Sequence, residues 1–316
     1  MSLLEMTGSL KGRDFLSLKD YTSEEIVFLL DFADYLKGKV KKGEPHELLK
    51  GKTLGLIFQK SSTRTRVSFE VGMIQLGGYP LFLSATDLQM GRGEPIRDTA
   101  RVLSRYLDGV MIRTYSHDDV EELATYASIP IINGLTDALH PCQVLADLQT
   151  IREHKGHNLK GVKLAYIGDG NNMAHSLMIG GAKMGMEIVI ASPGGYEPEE
   201  NWVQVAKSIA KDTGGKIIVT PDIDVASSQA DVLYADVWAS MGQEEEMSER
   251  KKHLSQYQIN EELLKKAAKD VIVMHCLPAH RGEEITEDVI EGKHSVVFDE
   301  AEDRLHAQKA ILANLL

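Results

Sequence analysis

Short apolar runs separated by segments of helical period extend along most of the chain. The runs at 53–58 (TLGLIF) and 109–113 (GVMIR) are continuous rather than alternating, which marks buried strands. Further runs at 80–83, 130–133 (PIIN), 163–167 (KLAYI), 187–191, 216–219 (KIIV), 232–235 (VLYA), 271–274 (VIVM) and 295–298 also read as strands. Thr22-Ser23-Glu24-Glu25 has the form of a capping box, and the helix after it turns Ile26, Leu29, Leu30 and Phe32 inward. Val67, Val71 and Ile74 recur at helical spacing before a Gly77-Gly78 stop. Helices are also expected at 94–106, with Pro95 where its missing N–H costs nothing, and from Pro141 through Leu145, Leu148 and Ile151. Others are expected at 201–212, 222–229 and 299–316. The segments 41–52 and 84–92 read as polar connectors and 243–253 as a charged, solvated stretch. Polar, Gly-containing 154–160 is the expected domain boundary, and no internal repeat is evident.

Composition narrows the class. With 316 residues, 43% apolar and 26% charged, the chain can bury a large core in one or two domains. A net charge of −12 argues against nucleic acid as a partner, because phosphate backbones need a basic face. No apolar run is long enough for a bilayer, so no membrane partner is expected, and the opening MSLLEMTGSLKGRDF lacks a signal-peptide core. The two cysteines, Cys142 and Cys276, are too few for a disulfide framework, so a reducing, cytoplasmic setting is expected.

The chemistry gathers at strand ends. After the 53–58 strand comes Ser61-Ser62-Thr63-Arg64-Thr65-Arg66-Val67-Ser68-Phe69-Glu70, a hydroxyl-rich turn into a helix. Unpaired N–H groups and the helix dipole favour an anion there, and Arg64 and Arg66 add fork-shaped donors. The alternative is an ordinary N-cap followed by two solvated arginines. Arg113 ends a strand, where open parallel sheets bind ligands, or is a surface arginine. His140-Pro141-Cys142-Gln143 opens a helix, with His140 either a cap or a catalyst. Gly168-Asp169-Gly170-Asn171-Asn172-Met173 has two of the three glycines of a dinucleotide fingerprint, and the next strand ends without an acidic residue, so an NAD site is disfavoured. Asn171 and Asn172 are either caps or carboxylate contacts. His140, Cys142, His275 and Cys276 include zinc-type ligands, but adjacent residues at a strand end point to opposite faces and no Cys-x-x-Cys spacing occurs, so no metal is expected. A Cys276 nucleophile with His140 and Asp236 is a hydrolase-like alternative without a supporting signature.

Ser62-Thr63-Arg64-Thr65-Arg66 with Ser68-Phe69-Glu70 resembles the carbamoyl-phosphate signature of the aspartate and ornithine carbamoyltransferases. His140-Pro141-Cys142-Gln143 resembles their second signature, in the form with Cys that ornithine enzymes usually have. Asp236-Val237-Trp238-Ala239-Ser240-Met241-Gly242 and His275-Cys276-Leu277-Pro278, running on to Glu283-Glu284-Ile285-Thr286, resemble the amino-acid-binding loops of the ornithine branch. The match spans residues 62–304 in the family's order. Putrescine, acetylornithine and aspartate enzymes of the same family are the nearest alternatives, and a non-catalytic phosphate-metabolite binder is the next.

The resemblance implies an α/β fold of two doubly wound, Rossmann-like parallel-sheet domains with the active site in the cleft between them. It implies a carbamoyl-phosphate domain at 1–154, an ornithine domain at 155–298 and a helix at 299–316 returning to the first domain. It further implies transfer of the carbamoyl group to L-ornithine with no cofactor. Ser62, Thr63, Arg64, Thr65, Gln89, Arg113, His140, Gln143, Cys276, Leu277 and Arg304 would then bind carbamoyl phosphate. Asn172, Asp236, Ser240 and Met241 would hold ornithine, and Arg113, His140, Asp236 and Cys276 would be catalytic. Gln89 matches a position that reaches a neighbouring subunit, so the resemblance implies a homotrimer.

Overall fold

A computed structural model of the chain describes residues 10–85, 88–90, 93–239 and 247–316. Helix α1 (Ser23–Lys41) opens on the expected capping box, with Thr22 accepting from the Glu25 N–H and the Glu25 carboxylate accepting from the Thr22 N–H. Its inward residues Ile26, Leu29, Leu30 and Phe32 are fully buried. The apolar runs then form β1 (Thr53–Phe58), β2 (Tyr79–Ser84), β3 (Gly109–Arg113) and β4 (Ile131–Leu135). Parallel neighbours need crossovers, which α2 (Thr63–Gln75), α3 (Ile96–Leu103) and α4 (His117–Tyr126) supply; α5 (Pro141–Lys155) follows. The sheet is wholly parallel in the order β2-β1-β3-β4. Its topological switch point lies between β1 and β3, where Phe58 pairs with Arg113.

The second half repeats the scheme with β5 (Lys163–Ile167), α6 (Asn172–Lys183), β6 (Glu187–Ala191), α7 (Glu200–Thr213), β7 (Lys216–Thr220), α8 (Ile223–Ser227) and β8 (Val232–Ala235). It continues through α9 (Met247–Leu254), α10 (Glu261–Leu264), β9 (Ile272–His275) and α11 (Glu287–Ile290) to α12 (Val297–Leu315). This sheet is also parallel, ordered β7-β6-β5-β8-β9, with its switch point between β5 and β8. The protein is thus α/β with two doubly wound parallel sheets. Its two compact units are Met1–Gln149 with Glu302–Leu316, and Thr150–Ala301.

Three expectations change, and helix α4 stands where no element was expected. The apolar stripe that marks α2 as a helix is not its buried face: Val67 and Ile74 are 50% and 60% exposed, whereas Thr65, Phe69, Gly72 and Met73 are buried. The cause is α12, which packs on the Gly72 side so closely that a Cβ there would sit 3.1 Å from the Lys309 Cγ. The expected strand at 295–298 does not form; Ser295 makes a single bridge to Val273, and Val297 starts α12. Part of the expected solvated stretch 243–253 is helix α9, held by a buried arginine described below. Helix α4 has only Val120 and Leu123 buried, an apolar signal too sparse for its period to show.

On the first unit's share of α12, Asp303 binds the Lys37 ammonium at 2.6 Å with both side chains almost fully buried. Removing one partner strands the other charge without water. Asp303→Ala should therefore cost roughly 3–5 kcal/mol in urea unfolding, while Lys37→Met with Asp303→Leu recovers most of it. Equal losses in the single and double variants would show that the pair is not what stabilises this contact.

Candidate active site

In the first unit, Ser62 ends the β1–α2 turn in extended conformation and its Oγ accepts from the Thr65 N–H at 3.2 Å. No acidic residue occupies the first turn, so the positive end of α2 stands uncompensated by its own sequence. Arg113 leaves the carboxyl end of β3, and His140 precedes α5; both are buried. Arg304 of α12 donates to the Gln143 Oε1 at 2.5 Å and to the Thr65 Oγ1 at 3.1 Å. The Gln143 amide donates onward to Asp147 at 2.8 Å, which fixes which way its oxygen points.

His140 sits in a cationic field. Burial first, then the guanidiniums of Arg304, Arg113 and Arg64, holds its imidazole well below the ordinary histidine range. Among the described residues Arg64 has no carboxylate partner, so a dianion entering this field would gain a counter-charge there. The neutral imidazole can still donate to a developing oxyanion. Cys142 behaves differently from its neighbour in sequence: burial pushes the thiol up to about 12, and its Sγ donates to the Asn133 carbonyl at 3.3 Å. It is a packing residue. Gln89 is exposed beyond β2, apart from these contacts.

The second unit's residues converge at its own switch point. Asp236 follows β8, and its Oδ1 accepts from the Val237 N–H at 2.8 Å and from the Cys276 thiol at 3.0 Å. Its Oδ2 accepts from the Asn171 amide at 2.7 Å. Asn171 is the N-cap of α6, with its Oδ1 taking the Met173 and Ala174 N–H groups, so one side chain both caps the helix and aims the carboxylate. Asn172, half-buried, is the first residue of that helix. Ser240 and Met241 lie outside the described residues.

Two contributors have roles that motif reading does not show. Asn171 is legible as a cap or a substrate contact, but not as a support for Asp236, which lies 65 positions away. Arg250 of α9 lies in a charged run, yet it is buried, donating to Asp169 at 2.8 Å and to the Trp238 carbonyl at 3.1 Å.

Strand alternation does not separate His275 from Cys276 as expected: ligand atoms of Asp236, His275 and Cys276 all lie within 4.8 Å of one another. The histidine is nevertheless committed. Its Nδ1 accepts from the Leu277 N–H at 2.8 Å and its Nε2 faces Glu284 at 3.0 Å, so neither nitrogen has a lone pair to give a metal. Gly170 owes its identity to the chain itself, since a Cβ there would meet the Pro198 nitrogen at 2.2 Å. The close approach that a dinucleotide fingerprint keeps for pyrophosphate is used by backbone.

The chain matches two models of one family. The aspartate/ornithine carbamoyltransferase carbamoyl-P binding domain covers residues 13–153, and the Asp/Orn binding domain of the same family covers 160–315. A curated ornithine carbamoyltransferase of Oceanobacillus iheyensis is 65% identical over 307 residues, covering 97% of this chain and 95% of that protein. One of Carboxydothermus hydrogenoformans is 62% identical over 311 residues, covering 98% of this chain and 100% of that protein. The solved structure of the Pyrococcus furiosus ornithine carbamoyltransferase superposes with a TM-score of 0.94 at 58% identity, covering 97% of each chain.

The field around His140 makes a prediction about stability. A histidine whose folded pKa lies below its unfolded value of about 6.5 binds its proton more readily when unfolded, so the folded state loses stability as pH falls below about 6.5 and regains it above. His140→Asn should remove about 1.4 kcal/mol per pH unit from that acid-side slope. Urea unfolding of both proteins between about pH 7.5 and 5.5 measures it. An unchanged slope would mean the imidazole is not held neutral.

Proposed function

The chain belongs to the aspartate/ornithine carbamoyltransferase family, and on that premise we propose that it transfers the carbamoyl group of carbamoyl phosphate to the δ-amine of L-ornithine, giving L-citrulline and phosphate. Two small molecules are the substrates. The observation that carries the donor half is the set of three guanidiniums, Arg64, Arg113 and Arg304, acting on one buried neutral histidine beside an uncompensated helix start. The shared name of the full-length relatives supports ornithine over the family's other acceptors.

The reaction forms an N–C bond from the amine to the carbamoyl carbon, breaks the C–O bond to phosphate and releases one amine proton. Ser62, Thr63, Arg64 and Thr65, with Arg113 and Arg304, neutralise the phosphate both for binding and for departure. The carbonyl oxygen gains charge as the amine attacks, and Arg113, the Thr65 hydroxyl and the neutral His140 are its donors. Gln143, whose oxygen faces Arg304 and whose amide donates to Asp147, takes the carbamoyl NH₂ with Leu277. Asn172 receives the α-carboxylate of ornithine, Asp236 and Ser240 the α-ammonium, and the Met241 backbone assists. The Cys276 thiol, directed by Asp236, orients the δ-amine and helps it lose its proton.

We further propose a cytoplasmic homotrimer in which Gln89 serves a neighbouring copy. No helix of the described residues is long and apolar enough to cross a membrane, and neither cysteine is in a disulfide. The edge strand β2 and the outer face of α2 expose Val67, Ile74, Tyr79, Leu81 and Phe82, a patch suited to burial against another copy.

An assay for the carbamoylated (ureido) product tests the reaction, offering carbamoyl phosphate with ornithine, putrescine, acetylornithine and aspartate separately. Turnover with ornithine alone is expected; turnover with another acceptor would overturn the assignment of the amino-acid half, and none at all would overturn catalysis. For the assembly, Ile74→Glu should shift the sedimentation mass from a trimer towards a monomer. An unchanged trimer would place the interface elsewhere.

A further inference from the structure

The turn between β9 and α11 carries a side-chain cluster that the proposed chemistry does not use. A ring nitrogen of His280 and one carboxylate oxygen each of Glu283 and Glu284 lie within 4.8 Å of one another. The backbone brings them together. The Glu283 N–H donates to the His280 carbonyl at 2.9 Å, and the Gly282 N–H donates to the Ile285 carbonyl at 2.8 Å. Gly282 has φ +87°, a conformation open to glycine, and the chain reverses there.

Each glutamate has one oxygen engaged and the other without a partner. The Glu284 Oε1 accepts from the His280 N–H at 2.6 Å and from the His275 ring at 3.0 Å. The Glu283 Oε1 binds Lys251 of α9 at 2.7 Å. The Glu283 Oε2 and the Glu284 Oε2 are both buried, and neither has a partner among the described residues. Glu284 as a whole is 0% exposed. A buried charged oxygen without a partner is costly, and two carboxylates side by side repel each other as well. A cation held by both removes the two penalties together.

We propose that His280, Glu283 and Glu284 form a site for one divalent transition-metal ion of the zinc class. The imidazole decides the class: zinc, cobalt and nickel accept mixed nitrogen and oxygen ligands, whereas magnesium and calcium take oxygen. Atoms bound to one zinc at about 2.0–2.2 Å stand about 3.4 Å apart, so the cluster must close by at most about 1.5 Å. The partly exposed His280 ring can make that movement. The Glu284 carboxylate is already oriented, because two hydrogen bonds hold its other oxygen, as the outer partners of a metal ligand do. The site stands apart from the carbamoyl-transfer reading and rests on these contacts alone.

Cobalt(II) titration of the full chain, first treated with a chelator and dialysed, tests the site. The bound ion's absorption reports its ligands, since a thiolate adds an intense charge-transfer band and nitrogen and oxygen ligands do not. That separates this cluster from any binding at Cys276. One equivalent should bind without the thiolate band, and zinc should displace it, as the rise of zinc affinity over cobalt for such ligands requires. His280→Ala and Glu283→Gln should each weaken that binding at least tenfold. Both side chains are partly exposed, so these variants remove a ligand without opening the core. Absence of any binding free of the thiolate band would overturn the proposal. So would equal affinity in the wild type and both variants, and a loss in only one of them would overturn the three-ligand site.

Discussion

Because every strand pair in both sheets is parallel, each strand must be followed by a crossover, and each crossover helix begins at the edge where its strand ends. Strand carboxyl ends and helix N-termini therefore accumulate along one edge of each sheet. Where the strand order reverses, the two crossovers diverge and leave that edge open. The turn from β1 into α2 and the end of β3 meet at one such point; the ends of β5 and β8 meet at the other. Backbone pairing alone thus decides where chemistry can be placed, before any reactive side chain is chosen.

The same architecture is given opposite electrostatic tasks in the two units. At the β1/β3 point, arginines surround a histidine that burial keeps neutral, so the site offers positive charge and an uncharged donor together. A protonated histidine there would add a further charge to a field that already disfavours it. At the β5/β8 point the central group is a carboxylate, Asp236, with both oxygens engaged by Asn171, Val237 and Cys276. Such a group is aimed before a ligand arrives, which reduces the ordering cost of binding. An anionic group would gain counter-charge at the first point and a cationic one at the second.

Helix α12 shows how one element serves packing and chemistry. Asp303 closes a buried ion pair with Lys37, and the next residue, Arg304, reaches Thr65 and Gln143. The stem of Lys309 lies against Gly72, where no side chain leaves room for it, and its ammonium donates to Gln75 at 2.8 Å. Burial pulls that ammonium down to about 8. The guanidinium is held in place by the same contacts that dock the helix.

By itself the sequence determined most strands, since continuous apolar runs at 53–58, 109–113, 163–167, 187–191 and 232–235 have few other ways to be buried. It also located the chemistry, because hydroxyl, guanidinium, amide and thiol groups cluster just after those runs, where Ser62–Thr65, Arg113, Asn171 and Asp236 stand. Only the tertiary structure decided which face of α2 is inside, because Val67 and Ile74 have the right period but α12, more than two hundred residues away, covers the opposite side. It alone converted Arg250 from a solvated charge into a buried partner of Asp169, and Asn171 from a cap into a support for Asp236. It also brought Cys276 to Asp236 and bound His275 to Glu284, where strand alternation points the neighbours apart. Periodicity reports how one segment repeats along its own axis. Which side it buries, and which distant group satisfies a polar atom, depends on chain that folds against it from elsewhere.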